Sequence, residues 1–328
     1  MSKVTVFGDG GWGTALALLL CSKGVDTTLW SVSSEYAEYL DKNRENVKFL
    51  KGISLPKELK ITADDDLAME AEYAVFVVPC EHLRSVSRRF KGGNFSHIVS
   101  ATKGIENESL ERPSEILTEY FDRNKIYILS GPSISVEVAK NMPTTVVVAG
   151  YDGGKKDIQD LFMTDYFRVY TSGDIIGVEL GGALKNVIAI SAGISDGLGF
   201  GTNPKAALLS RGLAEITRLG VKMGAKAATF RGLSGIGDLT TTCISTDSRN
   251  RGFGEQIGKG RKSKDILKET EMIVEGYATC RAAYELSKKY NVSMPITQKV
   301  YEVLYENKSP AEAVKELMMR EAKEEDYE

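Results

Sequence analysis

Val4-Thr5-Val6-Phe7-Gly8-Asp9-Gly10-Gly11-Trp12-Gly13-Thr14-Ala15-Leu16-Ala17-Leu18-Leu19-Leu20 decides the fold. A β-branched run passes into a G-x-G-x-x-G loop and then into an alanine- and leucine-rich stretch, which predicts strand, tight turn and helix in that order. Glycines at these positions let the chain turn sharply. They also let backbone N–H groups approach a pyrophosphate at the positive end of the helix dipole. A turn with no ligand would use the same glycines, and it is the strand-loop-helix setting that favours a dinucleotide.

Outward from this loop, β-branched runs recur between helical stretches at residues 27–30, 74–78, 98–101, 126–129, 144–149 and 168–171. Ala74-Val75-Phe76-Val77-Val78 is apolar without alternation, as a strand covered on both faces requires. The pattern predicts an α/β fold with a doubly wound, mostly parallel, Rossmann-like sheet. After about Gly177 the β-branched runs stop and helix signals take over: Asn203-Pro204 as N-cap and first position, and Ser309-Pro310-Ala311-Glu312 as a capping box. The second half is therefore expected to be all helical. We place a dinucleotide-binding domain at 1–176 and a helical substrate-binding domain at 177–328.

The 328 residues carry 42 basic and 45 acidic side chains, a net charge of −3, so no excess of Lys and Arg suggests nucleic acid or an anionic membrane as partner. Only His82 and His97 are available, which excludes three-histidine zinc chemistry, and no metal site is expected. Four cysteines without C-x-x-C spacing suit reduced thiols in the cytoplasm. No signal peptide and no apolar stretch of roughly 18 residues is evident, so no membrane span is expected.

Where the second strand ends, a carboxylate would grip the ribose hydroxyls of NAD. The chain has Leu29-Trp30-Ser31-Val32-Ser33-Ser34 instead. Nothing there repels a 2′-phosphate and the serines can donate to one, which tilts the reading toward NADP over NAD, although no arginine supplies charge and the serines would equally serve only to begin the next helix.

Further polar clusters mark a candidate site. Gly177, Gly181, Lys185 and Ala189 share one helical face, so a lone lysine stands on a stripe of small residues that a cofactor or substrate could approach. Burial there would lower its pKa toward neutrality, as proton transfer requires; solvent-exposed decoration is the plainer alternative. Gly235-Ile236-Gly237-Asp238 and Ser248-Arg249-Asn250-Arg251 offer donors for a phosphate dianion, or equally a helix start with arginines in solvent. Ser100-Ala101-Thr102-Lys103-Gly104 and Ser130-Gly131-Pro132-Ser133 end two strands, where polar groups face the cofactor crevice.

In their order these motifs closely resemble NAD(P)-dependent glycerol-3-phosphate dehydrogenases of the bacterial type, from about residue 4 to about residue 306. The resemblance implies reversible reduction of dihydroxyacetone phosphate to sn-glycerol 3-phosphate by NADH or NADPH, supplying phospholipid synthesis. It implies Lys185 as the proton-transfer residue. It places Lys103, Gly131, Ser133, Lys185, Asp238, Ser248, Arg249 and Asn250 around the substrate. Gly11, Trp12, Val32, Lys103, Ser135, Arg249, Ile273 and Glu275 fall on cofactor positions. The chain departs from the family at Asp9, where Ala is common, at Gly11 for Ser, at Ser135 for Ala, and at Val32, where His or Arg is frequent.

Two other readings fit parts of the pattern: a lysine-dependent β-hydroxyacid dehydrogenase of similar domain layout, and a non-catalytic dinucleotide sensor. The sensor gives no reason for Lys185 on a glycine face. Neither histidine lies in a motif, so both are expected to be replaceable without loss of turnover. Apolar stripes in the helical half are able to support a homodimer, though a stripe does not select a partner.

Overall fold

The computed structural model describes every residue except 1, 152, 271, 272, 323 and 326–328. The chain divides into two compact units, residues 1–102 with 113–175, and residues 103–112 with 176–328.

The first unit is built on one eight-stranded sheet: β1 (Lys3–Phe7), β2 (Asp26–Trp30), β3 (Lys60–Thr62), β4 (Tyr73–Phe76), β5 (His97–Ser100), β6 (Ile126–Ser130), β7 (Thr144–Gly150) and β8 (Phe167–Ser172). The spatial order is β3-β2-β1-β4-β5-β6-β7-β8, and every neighbouring pair is parallel except the antiparallel β6–β7. Sequence order reverses on either side of β1, between β2 and β4. In a doubly wound sheet that reversal opens the crevice where ligands sit. The doubly wound, mostly parallel sheet expected from the sequence is therefore present.

Strand β1 is buried from Val4 to Phe7, and the Gly11–Ser22 helix buries Ala15, Leu16, Leu19 and Leu20. The helix is apolar nearly all round, as one covered by both sheet and neighbours must be. Beside the loop, Phe7 stacks on Phe76 with ring centroids 4.9 Å apart and meets Phe90 at 4.5 Å. These buried rings fix the strand ends from which the glycine loop springs.

The second unit is helical. Its longest helix, Ile175–Gly197, is buried over most of its length and joins a core with Ile216, Leu219, Phe230, Phe253 and Leu286. This helix corrects one expectation: it is long and apolar enough to cross a membrane by length and composition. Yet 94% of its apolar window is buried within protein, which makes it a core helix.

The single boundary drawn at 176/177 also differs from the units. Residues 103–112 follow β5 in sequence but belong with the helical unit. Ile105 is buried in that unit's core and Leu110 packs against it. Arg112 is ion-paired with Glu179 of the long helix, both side chains being buried.

Candidate functional site

In the first unit the glycine loop makes a cradle. Gly8 has φ +119°, and a Cβ there would come 2.9 Å from the Val77 carbonyl oxygen. A Cβ on Gly13 would lie 1.9 Å from the Gly8 carbonyl oxygen, so helix and strand approach as closely as backbones can. A Cβ on Gly11 would lie 2.6 Å from the Phe49 carbonyl oxygen, whereas one on Gly10 would meet nothing within 4 Å. The helix starts at Gly10 without a side-chain cap and with no acid in its first turn. Its first N–H groups are thus available to an anion in the open space at Gly10. The Trp12 indole N–H is buried without a partner, a second donor waiting at this loop. The residues present fit a dinucleotide pyrophosphate.

Around the cradle, Ser135 faces Gly11, and its Cβ would lie 3.7 Å from a Cβ there. Gly131 has φ +139°, and the Ser133 hydroxyl donates to its carbonyl at 3.0 Å. Val32 is 70% exposed and brings no charge to the end of β2. Asp9 turns its carboxylate to the Ser31 hydroxyl, which donates to it.

In the second unit, Asp238 lies between two lysines. Lys185 donates to its Oδ1 at 2.6 Å and Lys103 to its Oδ2 at 2.7 Å. Lys185 also donates to the Thr242 hydroxyl at 2.6 Å, and that hydroxyl donates to the Asp238 carbonyl at 2.7 Å. Only 6% of Lys185 and 1% of Asp238 is exposed. Burial lowers the Lys185 pKa to about 8, with Lys103 adding to the shift while Asp238 and Glu275 oppose it. An amine poised there can give or take a proton near neutral pH.

Local sequence explains the geometry. Lys185 is borne on the Ile175–Gly197 helix, and Asp238 opens the Asp238–Ile244 helix, where its charge also favours the helix start. Thr242, one turn on, is reached by the spacing of that short helix. The small-residue stripe works differently from the sequence expectation, because a Cβ on Gly181 would lie 2.3 Å from the Ser234 carbonyl oxygen. At Gly181 the stripe admits another stretch of this chain, leaving no room there for a ligand.

The Ser248–Arg251 cluster is divided among several tasks. The Ser248 hydroxyl caps the Arg249–Gly258 helix by accepting from the Arg251 N–H. Buried Asn250 donates to Asn186 Oδ1 at 2.9 Å and accepts from the Gly276 N–H at 2.9 Å. Arg251 pairs with Asp196 at 2.8 Å. Arg249 donates to the Ile273 carbonyl at 3.1 Å, and its charge acts on the half-buried Glu275, whose pKa desolvation raises. Lys103, Lys185, Asp238, Arg249 and Glu275 thus form one charge-coupled group.

Two residues escaped the sequence reading. Thr242 had a usable signal, being four residues after Asp238. Asn186 is buried beside Lys185 with its Nδ2 unpartnered, a feature of packing rather than of motif. Asp9, named in the sequence as a departure from the family, gains its contact with Ser31 only through the fold. Elsewhere in this unit a largely apolar cavity of about 650 Å³, lined by Leu208, Ile296, Val300 and Leu317, lies apart from these charges. Among the described residues no group of three or more His, Cys, Asp or Glu side chains is placed to hold a metal ion.

Comparison with known proteins agrees with this geometry. Residues 3–155 match the family described as NAD-dependent glycerol-3-phosphate dehydrogenase N-terminus, and residues 174–315 match the corresponding C-terminus. The chain is similar to the glycerol-3-phosphate dehydrogenase [NAD(P)+] of Chlorobium phaeobacteroides, with 47% identity covering 99% of this chain and all of that one. Its counterpart in Pelotomaculum thermopropionicum is 48% identical over 97% of this chain and 93% of the other. A solved glycerol-3-phosphate dehydrogenase from Coxiella burnetii superposes with TM-score 0.94 at 36% identity, covering 97% of this chain and 99% of that one.

Proposed function

The chain belongs to the NAD-dependent glycerol-3-phosphate dehydrogenase family, and from that premise we propose that Lys185 moves the proton as dihydroxyacetone phosphate is reduced, reversibly, to sn-glycerol 3-phosphate. The observation that carries this reading is the buried Lys185 ammonium, held by Asp238 and Thr242 and brought to a pKa of about 8.

A bound nicotinamide, from NADH or NADPH, supplies the hydride. Lys185 Nζ gives its proton to the substrate oxygen at C2 as negative charge develops there. In the oxidative direction it takes the hydroxyl proton back. Asp238 fixes the direction of Nζ and holds Lys103 as a second positive group nearby. Arg249 offers the guanidinium suited to a phosphate dianion, with Ser248 and Asn250 setting the start of the helix that carries it. Binding energy taken from the phosphate, remote from the reacting carbon, then serves to orient the carbonyl.

Gly11, Trp12, Val32 and Ser135 are assigned to the dinucleotide on the first unit, with Gly131 and Ser133 toward the substrate. Lys103, Arg249, Ile273 and Glu275 of the second unit are also assigned to the cofactor. The four cysteines, three of them buried and none in a disulfide, fit a reducing cytoplasm, and the product feeds phospholipid synthesis. A homodimer would cover the exposed Met318 and Met319.

Steady-state assays with NADH and NADPH decide the matter. Dihydroxyacetone phosphate is expected to turn over and short 2-oxoacids to stay at background. Preferential reduction of an oxoacid would assign the chain to the β-hydroxyacid reading, and tight dinucleotide binding with no turnover to the sensor.

A further inference from the structure

We propose that Asp9 supplies the carboxylate that is missing from the end of β2, and that it makes this chain prefer NADH to NADPH. The inference rests on the first unit being the dinucleotide site.

Residue Phe7 is in register with Trp30, and the Gly8 N–H donates to the Trp30 carbonyl at 3.0 Å. Asp9 therefore comes two residues past the point where β1 and β2 end side by side. Its Oδ2 accepts the Ser31 hydroxyl, and Ser31 is the first residue after β2. The acid rises from the neighbouring loop, but it stands at the carboxyl end of the second strand. In doubly wound dinucleotide folds this is where an acidic side chain accepts the hydroxyls of the adenosine ribose.

The position is held firmly. Asn46, fully buried, donates its Nδ2 to the Asp9 carbonyl at 2.8 Å and to the Thr14 hydroxyl at 2.8 Å, while its Oδ1 accepts from the Tyr36 hydroxyl at 2.7 Å. The Ser31 hydroxyl is oriented in turn by the Ser33 N–H, which donates to it at 3.2 Å. One oxygen of Asp9 is thereby occupied and the carboxylate as a whole is an acceptor.

Charge gives the discrimination its sign. A ribose 2′-hydroxyl can donate to a carboxylate, whereas a 2′-phosphate brings like charge against it and has no proton to give when fully ionised. Burial raises the Asp9 pKa, while Ser31 and Lys48 oppose the shift. Lys48 is the cation acting on this carboxylate, and Val32, where a basic residue would receive a 2′-phosphate, is aliphatic.

The test is direct binding, by titration calorimetry, of NADH and NADPH to the full chain, native and with Asp9→Asn or Asp9→Ala. The Asn variant keeps the size of the side chain, so it removes charge without opening the loop. The native chain is expected to bind NADH at least about tenfold more tightly than NADPH, a free-energy gap of roughly 1.4 kcal/mol. Both substitutions should bring the two within about threefold, mainly by tightening NADPH. Equal native affinities, or a preference that survives both substitutions, would overturn the inference. If neither dinucleotide binds the native chain, the assignment of the first unit itself fails.

Discussion

At Lys185 two opposing effects meet. Burial disfavours the ammonium and Lys103 pushes the same way, while the Asp238 carboxylate stabilises it. The outcome, about 8, sets the pH dependence. Reduction needs the ammonium, so kcat/KM for dihydroxyacetone phosphate should hold level below about pH 8 and fall above it; oxidation needs the free amine and should rise through the same range. The charged groups facing Lys185 are Asp238, Lys103 and Glu275. Matched pH-rate profiles in both directions check this, and profiles of the same slope in both would argue against a proton on Lys185. Lys185 could be singled out in the sequence because its neighbours on the helical face are glycine and alanine. Its partner Thr242 shares a helical face with Asp238 by its four-residue spacing, but nothing in the sequence brings that face to Lys185. Asp9 was visible as an oddity, but its contact with Ser31 depends on the register of β1 with β2, which composition does not encode.

Between elements, glycines decide how closely backbones pass. A Cβ on Gly193 would lie 1.9 Å from the Arg251 carbonyl oxygen, and one on Gly254 would lie 2.1 Å from that of Ile190. The Ile175–Gly197 and Arg249–Gly258 helices therefore touch through backbone, which brings Asn186 and Asn250 within hydrogen-bond reach. Gly252, in the same helix, has nothing within 4 Å of its would-be Cβ. Gly193→Ala should cost about 1–3 kcal/mol by forcing the helices apart. Gly252→Ala should gain about 0.5–1 kcal/mol from helix propensity. Chemical denaturation of the two variants measures both, and equal effects would contradict this account of the packing. The small-residue stripe was plain in the sequence, but its purpose was not: periodicity shows which residues share a face and leaves open whether protein or ligand lies against it.

Across the whole molecule, the glycine loop and the β-branched runs made the doubly wound sheet legible, and the loss of those runs after Gly177 made the helical half legible. The three-residue β3 passed unnoticed because Lys60-Ile61-Thr62 is too short to show a period. The membership of residues 103–112 was also hidden. It depends on Ile105 entering a core formed more than seventy residues later, and on Arg112 meeting Glu179. That segment is what brings Lys103 to Asp238, so the two-lysine site belongs to the helical unit even though one lysine follows a strand of the other. The central proposal is that Lys185 carries the proton for glycerol-3-phosphate dehydrogenase turnover, and it rests on the chemistry of the site. The most direct test is kcat for dihydroxyacetone phosphate reduction in the native chain and in Lys185→Met, with NADH affinity measured alongside. The account predicts a fall in kcat of about 10²–10⁴-fold with dinucleotide affinity nearly unchanged; a kcat within a few-fold of native would contradict it.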